Sequence, residues 1–88
     1  MDEAALISRY IELDPRHPWP GDAHLRDSGV PVWAIIGHWR DATDGDAAAV
    51  ARDYDLPLQA VQAALAYYQE HQAAITARLE ENAAMVPF

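Results

Sequence analysis

The sequence predicts a mainly α-helical single domain. Its core is three helices in a helix-turn-helix pattern, homeodomain-like or winged, with a short N-terminal β-hairpin and a long C-terminal helix. Three observations carry this reading. Apolar residues recur at helical spacing from Val30 onward. Proline and aspartate stand where those helices would start and stop. Before Val30 the chain falls into short alternating runs separated by Pro and Gly.

The elements follow in order. Met1 to Ser8 fits a short helix or the start of a strand. In Arg9-Tyr10-Ile11-Glu12-Leu13, Ile11 and Leu13 alternate with polar neighbours, as in a half-buried strand, and Asp14-Pro15 ends it. Arg16 to Gly21 is a turn-rich loop, and Ala23-His24-Leu25 is a second short strand. Two strands alone are only marginally stable, so they need a helix beneath them or a second copy of the chain beside them. Pro31 suits a first helical turn, and Val32, Ile35, Ile36 and Trp39 form one apolar stripe behind it. After the polar break at Asp41–Gly45, Asp44 or Asp46 can cap a short helix over Asp46–Asp53. Asp55-Leu56-Pro57 is a tight turn. A last helix runs from Leu58 to about Asn82, with Leu58, Val61, Leu65, Tyr68, Ile75 and Leu79 in step and Gln72 as a polar interruption. Such a helix is roughly 35–40 Å long, more than a small domain is wide. The domain therefore divides into strands and loop (1–29), helix-turn-helix core (30–68) and a C-terminal extension with an apolar tail (69–88).

Composition narrows the function classes. The 88 residues are 51% hydrophobic, enough to fold but only around a small core, which oligomerisation would help. There is no Cys, which excludes disulfides and thiolate metal sites. There is no basic-then-apolar start and no long apolar run, so the expected location is cytoplasmic, with no membrane span. Six arginines, with no lysine, face 14 carboxylates, for a net charge of −8. That balance repels nucleic acid at long range and favours a basic partner.

The residues that carry chemistry point to binding and to no catalysis. In a DNA-binding helix-turn-helix the early residues of the third helix meet base edges. Here those are Gln59, Gln62 and Ala63, with Arg40 and Arg52 placed for phosphates. His17, His24, His38 and His71 lack metal-binding spacing, so surface positions or local hydrogen bonds are expected, with no metal and no cofactor. The aspartates from Asp41 to Asp55 lack the alternation and final Glu of a calcium loop and read as caps and a solvated loop. Ser8 and Ser28 have no base at suggestive spacing and no nucleophile-elbow glycines. Trp39 falls on the apolar stripe, whereas Trp19 and Trp33 are either packed under the N-terminal strands or anchors of an interface.

The stretch from Gly21 to Ile36, with Val30-Pro31-Val32 at its centre, resembles the signature of the domain-of-unknown-function family 433. The later run Ala51-Arg52-Asp53-Tyr54-Asp55-Leu56, then Val61 and Ala64-Leu65-Ala66-Tyr67-Tyr68, is similar to the second half of that family. The resemblance covers about residues 9–80. Asp27 stands where the family has Gly, Gly29 where it has Arg, and Pro57 where it has a capping Thr. The resemblance implies a VapB-type antitoxin, often dimeric. Such a protein holds a PIN-like nuclease toxin inactive and represses the shared operon by binding operator DNA. The alternative is a stand-alone helix-turn-helix transcriptional regulator.

Beyond Gln72 the sequence offers no further segment to cover Ile75 and Leu79. The expected toxin-binding residues are therefore Tyr68, Ile75, Arg78, Leu79, Met85 and Phe88. The apolar ones would fill a groove, and Arg78 would reach toward the toxin's metal-holding carboxylates. Removal of the residues after Gln72 is expected to leave the rest folded. A homodimer is expected to cover the strands or Trp33.

Overall fold

Asp2 accepts a 2.7 Å hydrogen bond from the backbone N–H of Ala5 and so opens the first helix, α1 (Glu3–Tyr10). The computed structural model describes residues 2–85. The helix option for the N-terminus is the observed one, and it takes over most of the expected first strand. What remains is β1 (Ile11–Glu12), antiparallel to β2 (His24–Leu25), with Ile11 opposite Leu25 and Glu12 opposite His24. Between the strands a single 3₁₀ turn covers Pro20–Asp22.

The hairpin is supported from within the chain. Ile11 and Leu25 are buried in the common core, and β1 rests on the third of the helices that follow. These are α2 (Val32–Asp41), α3 (Ala47–Tyr54) and α4 (Leu58–Glu70). In α2 the predicted stripe is the buried one, with Val32, Ile35 and Ile36 fully enclosed. Pro31 is the residue before the helix, in extended conformation, and donates no side-chain cap. Asp46 caps α3 by accepting from Ala49 N–H at 3.2 Å. Helix α4 is the centre of the fold: α1 lies along one side of it, and α2 and α3 pack on another. Ala60, Ala63 and Ala64 let these neighbours come close.

The predicted single helix from Leu58 to Asn82 is two helices. His71 (φ −134°, ψ 40°) leaves helical conformation between α4 and α5 (Gln72–Met85). The bend turns α5 back across α2 and the Pro20–Asp22 turn. A straight helix would have carried Ile75 and Leu79 into water. Instead Ile75 is 0% exposed and Leu79 packs on the core. The burial of Ile75, the packing of Leu79 and the Arg78–Asp22 pair together offset the few helical hydrogen bonds given up at the bend. Among the described residues no helix is long and apolar enough to cross a membrane.

Candidate binding surfaces

The first surface is the α3–α4 corner. Asp55 closes α3 in the left-handed region (φ 56°, ψ 49°), which Asp tolerates better than most residues. The N–H of the next residue, Leu56, returns to Ala51 O at 2.8 Å, and Pro57 precedes α4. This corner leaves Gln59, Gln62 and Arg52 exposed. Gln59 is already engaged, since its Oε1 accepts from the Tyr10 hydroxyl at 3.0 Å. Ala63, expected at the exposed face, is 0% exposed because α4 is packed on more than one side. Arg40 does not join this group. It donates to Asp41 at 3.2 Å and lies near Tyr68, roughly 13 Å along α4 from Gln59. The Asp41 hydrogen bond, and then its charge, raise the Arg40 pKa.

The second surface is α5 and its seat. The Arg78 guanidinium donates from Nε to Asp22 Oδ1 at 3.0 Å and lies over the Trp33 ring at 4.8 Å. Asp22 also accepts from His17 Nδ1. These groups, with His24 and Asp14, line a polar cleft of about 410 Å³. Leu79 sits against Gly37 so closely that a Cβ there would lie 3.1 Å from Leu79 Cδ2. A neighbouring groove of about 380 Å³ runs past Trp33, Tyr54 and Asn82.

This arrangement corrects the premise of the expected toxin-binding set, that its residues are left uncovered by their own chain. Ile75 is buried by its own chain, Arg78 is committed to Asp22 and Trp33, and Tyr68 and Leu79 are half-buried against the core. The uncovered stripe that motivated these assignments does not exist while α5 is seated. The Met85 side chain and Phe88 lie outside the described residues. Trp33 is covered by Arg78 of the same chain, and Trp19 folds over Gly21, where a Cβ would meet the indole at 2.7 Å. Covering these tryptophans therefore does not require a second copy.

The histidines have local partners. His24 Nε2 meets Glu12 at 3.0 Å, His38 Nε2 meets Asp53 at 2.8 Å, and His71 packs on Tyr67 with ring centroids 4.4 Å apart. Among the described residues no group of three or more His, Asp or Glu is placed to hold a metal ion. Asp22 is the residue that sequence reasoning missed. Its partner Arg78 is 56 positions away, and no local pattern marks such a pair.

A family model for a protein of unknown function, DUF433, matches residues 11–68 of the 88. The chain belongs to DUF433. The DUF433 segment runs from β1 to Tyr68 in α4, so it holds the hairpin, α2, α3 and most of α4. Helices α1 and α5 lie outside it, and the match stops short of the expected residue 80. No curated protein and no solved structure matches the chain.

Proposed function

We propose that this DUF433 protein is an antitoxin-type inhibitor, which neutralises a basic, nucleic-acid-cleaving toxin by protein contact. The observation that carries the reading is the way the charges are spent. Arg16, Arg26, Arg40 and Arg78 each face a carboxylate of the same chain. Glu70 at the end of α4 and Glu80 and Glu81 on α5 are exposed and enter no ion pair among the described residues. The positive charges are thus largely neutralised at home, and a negative face is left for a partner. Such a face steers a basic protein in and repels nucleic acid. A nuclease with a PIN-like fold, encoded beside this chain, is the partner we expect.

The finer architecture we propose is a helix-turn-helix made of α2, α3 and α4. The short turn at Asp55–Pro57 and the exposed Gln62 and Arg52 support it. Repression of its own operon would use that corner, against the repulsion of nearby Asp53 and Asp55. Its test is binding to the promoter duplex at low salt.

The main reading is tested by co-expression with the neighbouring nuclease. Replacing Glu70, Glu80 and Glu81 by Lys together should leave the fold intact, because all are exposed. It should weaken the complex about tenfold or more at low salt, and the difference should shrink as salt screens the charges. Undiminished neutralisation by the triple variant would sink the acidic-face reading.

A further inference from the structure

Between Leu58 and Met85 the chain contains neither Gly nor Pro, yet its helix breaks at one residue. The break is narrow. His71 N–H still bonds Tyr67 O at 3.0 Å, and Ile75 N–H bonds His71 O at 3.0 Å. What the bend gives up are the helical partners of Gln72, Ala73 and Ala74, whose N–H groups now open α5. Glu, Gln and Ala around the hinge are good helix formers, so local preference favours a straight helix. Tertiary contacts favour the bend, since they bury Ile75, pair Arg78 with Asp22 and set Leu79 on Gly37. In a single chain the two demands conflict.

We propose that two copies of this chain resolve the conflict by exchanging α5. In the exchanged dimer His71 becomes helical, α4 and α5 run on as one helix, and each α5 occupies the seat on α2 and the Pro20–Asp22 turn of the other copy. Every contact of the seat is kept, and the helical hydrogen bonds lost at the bend are regained. The occupant is a second copy because the seat is already shaped for this segment, down to the missing Cβ of Gly37. The family match ends at Tyr68, so the exchanged arm is the part beyond the matched segment. Each copy carries −8, so exchange is favoured by concentration and by salt. This inference does not depend on what the protein binds.

The test uses the full chain and two hinge variants, His71→Ala and His71→Gly. Both lose the packing of His71 on Tyr67, so that loss cancels between them. Ala and Gly differ about fivefold in helix preference, and the dimer has two hinges, so the dimerisation constants should differ about twenty-five-fold in favour of Ala. Sedimentation equilibrium reads those constants. In a dimer mixed from labelled and unlabelled wild-type chains, isotope-filtered NOEs should join Leu79 methyls of one chain to Gly37 of the other. Wild type and His71→Ala both monomeric at millimolar concentration would overturn the proposal. So would equal constants for the two variants, or Leu79–Gly37 NOEs confined to single chains.

Discussion

Tyr67 shows how one side chain joins distant parts of this fold. Its ring is buried on α4, and its hydroxyl donates to Pro20 O at 3.2 Å, anchoring the 3₁₀ turn that in turn receives α5. Burial first, and the charge of Glu70 second, raise the phenol above its ordinary pKa of 10.0. The folded state therefore holds this proton more tightly than the unfolded chain does. The stability that results is intact below the unfolded value and is lost as pH rises through the folded one. Tyr67→Phe should cost roughly 1 kcal/mol at neutral pH, where it removes only the hydrogen bond. It should also blunt the loss of stability in strong alkali. Urea titrations at neutral pH and above the tyrosine range check both, and an unchanged alkaline loss would assign it to other groups.

At the scale of elements, α5 decides how the molecule is put together. Ile75 is enclosed as completely as Ile35 and Ile36, although it lies outside the DUF433 segment. Ile75→Ala should cost about 2–5 kcal/mol, the range for a large-to-small change in a packed core. Removal of everything after Gln72 should destabilise the remainder at least as much, because it takes away Ile75 from the core together with the cover that Arg78 and Leu79 give to Trp33 and Gly37 of α2. Thermal melts of both variants test this, and a truncated chain as stable as the full one would refute it. The sequence-based reading expected the opposite, and the reason is physical. Val32, Ile35 and Ile36 declare a buried face by their spacing, and Asp46 declares a helix start by its chemistry. Those signals are local, so α2, α3 and the start of α4 were legible. The spacing of Ile75 and Leu79 is equally legible as an apolar stripe, but a stripe does not say which surface covers it. A bend without Gly or Pro leaves no mark, since it is imposed by contacts between residues far apart in sequence. The same holds for the Asp22–Arg78 pair, and for the engagement of Gln59 by Tyr10.

At the scale of the whole molecule, charge opposes compaction. A net −8 on 88 residues makes the folded chain repel itself more than the expanded one. Raising salt from roughly 0.01 M to 0.15 M shortens the screening length from about 30 Å to about 8 Å, below the span of the body. Stability should rise by on the order of 1 kcal/mol over that range. Melting followed by circular dichroism across a salt series measures it, and a flat or falling profile would mean that the ion pairs at Asp22 and Glu12 outweigh the repulsion. The placement of Arg78 over Trp33 has one more consequence, an optical one. The chain carries three tryptophans, and the guanidinium lies on one of them. When α5 is seated, that indole is shielded on the face the arginine covers. When α5 lifts away, the indole meets water and its emission moves to the red. Fluorescence of the unlabelled protein therefore gauges the position of its C-terminal helix, and stopped-flow mixing can time each departure and return.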